Sequence, residues 1–209
     1  MDEREGLPSY PDNFFDLAIV DPPYGIKQDG RNNHTRSSLT KSKNYTTNTK
    51  YDNHSPDKKY FKELIRVSKN QIIWGANHFI SKIPFDSSCW IVWDKDNGLN
   101  HFADCELAYT SFPSAVRKVT FKWQGMLQQD MKNKEFRIHP NQKPVKLYQW
   151  IVSEYCKIGD LILDTHVGSA SSLIAFESMG FNYHAFEIDE DYYKAALERM
   201  RAGIQTAIF

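Results

Sequence analysis

The sequence predicts an α/β fold with a mostly parallel sheet, because short apolar segments alternate with amphipathic ones along the chain. Residues 15–20 and 161–163 are apolar, bounded by turn residues and short enough to be buried strands. A third observation is that both segments, and the apolar segment 183–186, are followed or ended by an acidic residue. At 209 residues, the chain predicts a single domain, residues 1–209, with a sizeable core.

The remaining elements follow from the same patterns. Apolar residues recur at helical spacing after Ser55, which we expect to cap a first helix, and after Pro144, which we expect to open a second. Gly168–Met179 predicts a loop and then a helix that Gly180 ends. Residues 191–201 predict a last helix, and further strands are predicted at 71–74, 90–93 and 106–111.

Composition excludes several classes of protein. Hydrophobic residues form 41% of the chain and aromatic residues 14%, which favours a globular protein. No apolar run approaches the ~20 residues that span a bilayer, and the polar, acidic first residues predict no secretory signal. The 3 cysteines form neither a CxxC pair nor an even set, which favours a reducing cytoplasm. The histidines lack zinc-like spacing. Residues 94–105 carry Leu99 and Cys105 at the sixth and twelfth positions, where a calcium loop needs a glycine and a glutamate, so no metal site is predicted.

The formal net charge is zero, but the charges are unevenly distributed along the chain. Residues 27–69 contain 11 Lys and Arg against 4 Asp and Glu, and residues 115–147 contain 8 against 2. Aromatic residues are interspersed in both stretches, which is compatible with a polyanionic partner. Residues 27–59 begin with a long polar segment nearly free of apolar runs, and we predict a mobile lid loop there; the alternative is a solvated insertion.

Acidic residues at strand ends predict a ligand site, because ligands of open α/β sheets bind at the carboxyl ends of the strands. Asp21, Asp164 and Glu187 are expected at three such ends. Asp164 opens a loop that contains Gly168, and Glu187 follows Asp164 by 23 residues, at the tip of the next predicted strand. In nucleotide-binding βαβ units, a carboxylate at this position binds the ribose hydroxyls.

The segment IVDPPYGI, residues 19–26, predicts a stiff turn after the first strand. Each proline lacks an N–H and has a fixed φ, so neither a helix nor a central strand can continue through them. The turn presents a carboxylate, Asp21, and an aromatic ring, Tyr24, which favours a functional site over a structural corner.

Four motifs together resemble one family, the beta class of DNA adenine-N6 and cytosine-N4 methyltransferases of the phage and prophage type. The catalytic motif precedes the cofactor motif, which is the circularly permuted order of that class, and the resemblance covers Pro11 to Arg201. The first motif, Asp21-Pro22-Pro23-Tyr24, is similar to the catalytic signature of the family. The second, His139–Pro144, is similar to the segment that precedes the cofactor loop, and the third, Asp164–Ser172, is similar to that loop. The fourth, Phe186–Asp189 with Tyr192 and Arg199, is similar to the ribose-binding strand and helix.

The resemblance implies a Rossmann-like S-adenosylmethionine-dependent methyltransferase fold. It implies a cytoplasmic restriction-modification enzyme, compatible with a homodimer, that methylates N6 of a flipped-out adenine in double-stranded DNA. The implied catalytic residues are Asp21, Pro22, Pro23 and Tyr24. The implied contacts to S-adenosylmethionine are Asp21, His139, Lys143, Asp164, His166, Gly168, Ser169, Ala170, Ser171, Glu187 and Ile188.

The chain departs from the family pattern at three places. His166 replaces a phenylalanine, and Ala170 replaces the second glycine of the loop, where its methyl group is expected to crowd the methionine moiety or change the loop. The first strand of the family has no counterpart, so we expect a sheet that lacks one edge strand and exposes a pairing edge. Residues 97–137 leave room only for a small target-recognition insert, and we predict that Lys41, Lys43 and Lys50 of the lid contact DNA phosphates.

Three alternatives stay open from sequence. Cytosine-N4 methylation uses nearly the same residues. A degenerate DNA-binding module without activity is a second alternative. A protein-glutamine methyltransferase is disfavoured, because its motif would carry asparagine in place of Asp21.

Overall fold

A seven-stranded sheet with the strand order β5-β3-β4-β2-β1-β8-β9 forms the centre of the molecule. The computed structural model describes residues 6–27, 51–98, 103–124 and 127–206. The strands of the main sheet are β1 (Phe15–Val20), β2 (Ser68–Trp74), β3 (Trp90–Asp94), β4 (Cys105–Thr110), β5 (Arg117–Thr120), β8 (Leu161–Asp164) and β9 (Asn182–Ala185). A separate two-stranded sheet pairs β6 (Trp123–Gln124) with β7 (Leu127–Gln128). The α-helices are α1 (Lys58–Val67), α2 (Val145–Tyr155), α3 (Ser171–Ser178) and α4 (Glu190–Thr206).

Strand β1 lies inside the sheet, between β2 and β8. Ala18 pairs with Gln71 of β2 on one side and with Leu163 of β8 on the other. Strand β4 pairs antiparallel with β2 and β3, and the remaining pairs in this sheet are parallel. The prediction of an α/β fold with a mostly parallel sheet is therefore confirmed.

Helices cover both faces of the sheet. Alternate side chains of β1 point to opposite faces, and the residues on each face pack against different helices. Leu17 and Ile19 belong to a buried cluster with residues of α2 and α3, such as Leu147 and Phe176. Ala18 and Val20 belong to a second cluster, which contains the apolar face of α1. Burial on both faces explains why the strand sequence is almost continuously apolar.

Helix α1 begins later than the sequence predicts. Its N-cap is Asp57, whose Oδ1 accepts a hydrogen bond of 2.9 Å from the Tyr60 amide, so the prediction of a Ser55 cap is wrong. Ser55 Oγ instead accepts a hydrogen bond of 2.7 Å from Lys82 Nζ. The predicted apolar face is buried as expected and comprises Tyr60, Phe61, Leu64 and Val67.

Strand β9 lies one residue earlier than predicted and forms an edge of the sheet, with β5 at the other edge. Phe186 has left the strand because its amide donates to the Asp164 carbonyl, while its own carbonyl accepts from the Val167 amide. Glu187 is consequently the second residue beyond β9. Among the described residues, β9 pairs on one side only, with β8.

The segment 97–137, predicted as a small target-recognition insert, contributes β4 and β5 to the main sheet. Strand β4 lies between β3 and β2, and β5 extends the sheet beside β3. Strands β6 and β7 of this segment form the separate two-stranded sheet. A role of the segment in target recognition stays a prediction.

The predicted lid, residues 27–59, begins and ends in residues with defined contacts. The buried Asp52 accepts a hydrogen bond of 2.8 Å on Oδ1 from the Gly25 amide, and its carbonyl accepts one of 3.0 Å from the Lys27 amide. Residues 58 and 59 already belong to α1. Lys41, Lys43 and Lys50 lie outside the described residues.

Within the described part of the chain, no helix combines the length and the apolar character needed to cross a bilayer. The same residues contain no group of three or more His, Cys, Asp or Glu side chains arranged to hold a metal ion.

Candidate active site

The carboxyl ends of β1, β8 and β9 lie side by side and bring the three predicted acidic residues to one edge of the sheet. Asp21 follows β1 directly, Asp164 ends β8, and Glu187 follows β9. The strands are parallel neighbours, so these three ends share one rim. The acidic residues at strand ends therefore converge, as the sequence pattern predicts.

Asp21 binds two side chains, one on each carboxylate oxygen. Its Oδ1 accepts a hydrogen bond of 2.8 Å from the Tyr24 hydroxyl, and its Oδ2 lies 2.5 Å from Lys143 Nζ. Lys143 Nζ also donates to the Tyr24 hydroxyl oxygen at 3.0 Å. Lys143 comes from the segment that precedes α2, so two sequence motifs separated by more than a hundred residues meet at this point.

A second carboxylate, Glu106 of β4, completes this group. Its Oε2 lies 3.1 Å from Lys143 Nζ and 3.4 Å from the Tyr24 hydroxyl, and its Oε1 lies 2.5 Å from Lys95 Nζ. The Lys143 ammonium also lies 5.3 Å from the ring centroid of the fully buried Trp74, within cation–π range. The group pairs two carboxylates with two ammonium groups.

Burial and ion pairing set the protonation of these groups. Burial lowers the pKa of Lys143, but the carboxylates of Asp21 and Glu106 more than offset this effect and raise the pKa above its usual range. Burial alone would raise the pKa of Glu106, yet Lys143 and Lys95 lower the pKa to about 2. Burial raises the pKa of Asp21, and Lys143 offsets only part of that effect. Lys143 and Glu106 are thus charged at neutral pH.

The ring of Tyr24 is seated against two residues that follow β2. It stacks on the exposed His78 ring with a centroid distance of 5.1 Å and an interplanar angle of 17°. A Cβ atom added at Gly75 would lie 2.1 Å from Tyr24 Cε1, so only glycine leaves room for the ring. Gly75 also has a φ of +67°, which glycine adopts without strain.

We expect Gly75→Ala to displace the Tyr24 ring. In the methyltransferase that the four motifs imply, this change should lower methyl transfer about tenfold, since a stacking contact with a base is worth ~1–3 kcal/mol. Binding of S-adenosylmethionine should stay within twofold of wild type. Gly98→Ala is the matched control, because Gly98 has a φ of +66° and an added Cβ there meets nothing within 4 Å. Rate measurements on both purified variants check this expectation. Equal rates in the two variants would show that the position of Tyr24 is not important.

The predicted cofactor loop is held closed at its base by Asp164. Asp164 Oδ2 accepts a hydrogen bond of 2.5 Å from Ser172 Oγ at the start of α3, and Oδ1 accepts one of 2.9 Å from the His166 amide. Burial raises the pKa of Asp164 to about 7, although both hydrogen bonds act against this shift. Asp164 therefore fixes the loop between β8 and α3.

Two residues of the loop have left-handed backbone conformations. Gly168 has a φ of +53° and Ala170 a φ of +59°. The second value explains why the family carries glycine at that position, because a residue with a Cβ atom pays about 1–2 kcal/mol in this region. Ala170 is fully buried and packs in the core cluster beneath α3.

Glu187, two residues beyond β9, contacts the loop between β8 and α3. Its Oε2 accepts a hydrogen bond of 2.7 Å from the Gly168 amide, and its Oε1 accepts one of 2.9 Å from the Asp189 amide. The Ile188 amide also donates to this carboxylate. A carboxylate has about four lone-pair positions, so the group keeps capacity for a further donor. Burial raises the pKa of Glu187. The next residue, Ile188, exposes 62% of its surface and offers an apolar contact beside the carboxylate.

His139 lies between the loop and α4. Its ring is 4.4 Å from that of Tyr192, and a Cβ atom at Gly168 would lie 3.8 Å from His139 Cδ2. Burial, with the nearby Lys143 and Arg137 cations, lowers the pKa of His139 to about 3. The ring is therefore neutral at neutral pH, and it forms one wall of the loop.

Arg199 of α4 binds the loop between β8 and α3 through hydrogen bonds to Ser169 and Ser171. Its guanidinium donates to the Ser169 carbonyl at 2.6 Å, to Ser171 Oγ at 2.8 Å and to Glu135 Oε2 at 2.7 Å. Ser169 and Ser171 are both buried, and their hydroxyls lie 3.1 Å apart. The two serines thus serve the geometry of the loop in this structure.

The family comparison agrees with this geometry. Residues 113–198, which include the Lys143 segment, the loop and Glu187, match the family model described as DNA methylase, of the N6 and N4 type. This match supports the N6/N4 DNA methylase family that the four motifs resemble.

Curated relatives of the family match different lengths of the chain. The type II methyltransferase M2.DpnII of Streptococcus pneumoniae is 34% identical over 68 residues, which are 32% of this chain and 25% of that protein. The type II methyltransferase M.HinfI of Haemophilus influenzae is 23% identical over 94% of this chain and 66% of its own length. The chain thus spans a quarter of one relative and just under two thirds of the other.

Solved structures of DNA methyltransferases share the fold of this chain. The complex of M1.HpyAVI with S-adenosylmethionine has a TM-score of 0.58 at 19% identity, over 95% of this chain and 96% of that one. The cytosine-N4-specific PvuII DNA methyltransferase has a TM-score of 0.59 at 13% identity, over 98% of this chain and 88% of that one. These similarities confirm the Rossmann-like methyltransferase fold that the motifs imply.

Sequence reasoning missed Glu106 and Gly75, which contact the predicted site residues Lys143 and Tyr24. It also missed Lys95, which pairs with Glu106, and Glu135, which pairs with Arg199. The sequence predicts Lys143 as a cofactor contact, whereas the structure shows its ammonium bound to Asp21 and Glu106. Only Glu106 had a usable signal: an acidic residue within a mostly apolar segment predicted as a strand. A charge in such a segment indicates a buried partner.

Proposed function

We propose that this protein is an S-adenosylmethionine-dependent DNA methyltransferase that methylates the exocyclic N6 of a flipped-out adenine. The observation that carries the proposal is the position of the rigid Asp21–Tyr24 turn, on the same rim of the sheet as Asp164 and Glu187. An acceptor for an amine and a site for a nucleoside cofactor are thereby adjacent.

The residues at the carboxyl ends of β8 and β9 fit S-adenosylmethionine. The Glu187 carboxylate keeps acceptor capacity for a ribose hydroxyl, and the exposed Ile188 suits an adenine ring. Gly168 and the neutral His139 ring form the adjacent wall of the loop. When bound, S-adenosylmethionine supplies the electrophilic methyl group of its sulfonium.

The turn after β1 suits the activation of an exocyclic amine. The lone pair of such an amine is delocalised into the base, so the nitrogen is a poor nucleophile. Asp21 and the Pro22 carbonyl can accept its two hydrogens and favour a tetrahedral nitrogen. Two prolines hold both acceptors in place before the reaction, which is electrostatic preorganisation. Asp21 then assists the departure of the proton.

The target amine is inaccessible within a duplex, so the base must leave the stack to be methylated. Tyr24 offers a stacking surface beside Asp21, and His78 and Gly75 hold its ring in place. Double-stranded DNA is therefore the proposed partner, in agreement with the two basic stretches of the sequence.

Cytosine-N4 methylation is the second candidate, because PvuII, which is named as cytosine-N4-specific, has the same fold. A third is a DNA-binding module without activity, since Ala170 occupies a left-handed position that favours glycine. Expression of the chain in a host without DNA methylation, followed by sequencing of modified bases, separates the three. N6-methyladenine at a defined sequence supports the proposal, N4-methylcytosine supports the second candidate, and an unmodified genome overturns both.

Lys41, Lys43 and Lys50 are proposed to bind DNA phosphates as part of the lid. Their joint replacement by alanine should weaken DNA binding and lower the slope of log K against log salt by ~0.9 for each lost contact. Affinity for S-adenosylmethionine should not change. A triple alanine variant at the exposed Lys157, Lys194 and Arg201, outside both basic stretches, controls for net charge. Titrations at several salt concentrations measure both slopes; the same slope in both triple variants would exclude these lysines from the DNA interface.

A further inference from the structure

One buried ammonium group, Lys143 Nζ, is shared between two carboxylates. It lies 2.5 Å from Asp21 Oδ2 and 3.1 Å from Glu106 Oε2, and its third donor is directed to the Tyr24 hydroxyl at 3.0 Å. The Lys143 side chain is only 4% exposed. An ammonium group has three donors, so the three contacts use all of them.

This arrangement conflicts with the proposed role of Asp21. Oδ2 is occupied by Lys143 and Oδ1 by the Tyr24 hydroxyl, so a target amine must compete for an oxygen that already has a charged partner. Removal of Lys143 from Asp21 would normally leave a buried cation without a counterion, which is strongly unfavourable.

Glu106 resolves the conflict because it is a second counterion already within reach of the same ammonium group. Glu106 lies on β4, inside the sheet, and its other oxygen is fixed by Lys95 at 2.5 Å. A shift of Lys143 Nζ away from Asp21 Oδ2 and towards Glu106 Oε2 replaces its contact with Asp21 by a shorter contact with Glu106. The net charge of the group stays unchanged during that shift.

We propose that Glu106 is a positioning residue that receives the Lys143 ammonium when the target amine binds Asp21. This inference rests on the proposed function, and it adds a residue that the family motifs do not contain. No covalent bond forms or breaks in this exchange. Glu106 acts through Lys143, and it makes Asp21 available to the base without leaving an unpaired charge.

Glu106→Gln tests the exchange, with Glu63→Gln as the matched control. Glu63 forms an ion pair of 2.9 Å with Arg66 on α1. We expect Glu106→Gln to lower kcat about 10- to 100-fold while KM for S-adenosylmethionine stays within twofold, and Glu63→Gln to retain the kcat of wild type. A purely structural role of Glu106 would instead raise that KM and lower the melting temperature together.

A double-mutant cycle with Lys143→Gln gives the sharper result. The loss in Glu106→Gln arises only because Lys143 then stays on Asp21, so the double variant should be no slower than Lys143→Gln alone. Independent, multiplying losses would overturn the exchange. If wild type itself transfers no methyl group, the proposed function fails; if wild type is active and Glu106→Gln equals it, only this inference fails.

A crystal structure of wild type with sinefungin and a duplex containing the target site provides a test that requires no variant to fold. We expect Lys143 Nζ within about 2.9 Å of Glu106 and no longer in hydrogen-bond contact with Asp21. A contact of Lys143 with Asp21 that persists beside the flipped base would overturn the proposal.

Discussion

Asp21→Ala is expected to abolish methyl transfer, with a loss of more than about a thousandfold, because it removes an acceptor placed to hold and deprotonate the amine. The fold should persist, since Lys143 keeps its contact of 3.1 Å with Glu106 and does not become an unpaired buried charge. Transfer of a radioactive methyl group to DNA measures the effect. A purified variant that retains a tenth of wild-type turnover would contradict this role of Asp21.

Two comparisons make the Asp21 result specific. Binding of S-adenosylmethionine should be nearly unchanged in Asp21→Ala, because the carboxylate is directed to Lys143 and Tyr24. Asp16→Ala serves as the matched control at the opposite end of β1. Asp16 pairs with Lys69 at 2.6 Å, far along the strand from the turn, so this variant should keep most of its activity.

Glu187→Ala is expected to weaken binding of S-adenosylmethionine by about 1.5–3 kcal/mol, the range for losing hydrogen bonds to a charged group. This corresponds to a rise in Kd of roughly 10- to 150-fold. The loss includes the acceptor of the Gly168 amide at 2.7 Å, so the loop also loses a contact that holds it in shape. Isothermal titration calorimetry measures Kd.

The control for Glu187 is Glu190→Ala, three residues further on. Glu190 is exposed and pairs with Lys194 at 2.7 Å on the surface of α4, so its replacement should leave Kd unchanged. Equal affinities of wild type and Glu187→Ala would show that Glu187 is only a structural acceptor for the backbone of the loop.

The sequence predicts those parts of the site that lie in contiguous motifs. Asp21, Asp164 and Glu187 were accessible because each follows or ends an apolar strand, and the carboxyl ends of parallel neighbours share one rim. Glu106 and Gly75 were not accessible in this way. Their contacts with Lys143 and Tyr24 depend on the order of β1, β2 and β4 in the sheet, which periodicity along the chain does not contain.

The errors in local structure have the same physical origin. Ser55 and Asp57 are both good N-cap residues, and the tertiary contact of Ser55 with Lys82 separates them. The apolar segment 106–111 is correctly predicted as a strand, but only the sheet order shows that β4 lies between β3 and β2. Helix and strand propensities in the sequence therefore predict which elements form. Long-range packing determines where the elements end and which strands are neighbours in the sheet.

The hydrogen bonds from Gly25 and Lys27 to Asp52 have a consequence for the length of chain that the fold tolerates between residues 27 and 52. Asp52 holds the chain before and after the segment 28–50 together, because it binds the amides of Gly25 and Lys27. The number of residues between Lys27 and Asp52 therefore does not change the geometry of the sheet or of the Asp21–Tyr24 turn. The entropy of closing a loop rises only with the logarithm of its length, by ~0.6 kcal/mol for each doubling. Insertions, deletions or a transplanted segment at 28–50 are therefore expected to leave the sheet and the Asp21–Tyr24 turn in place.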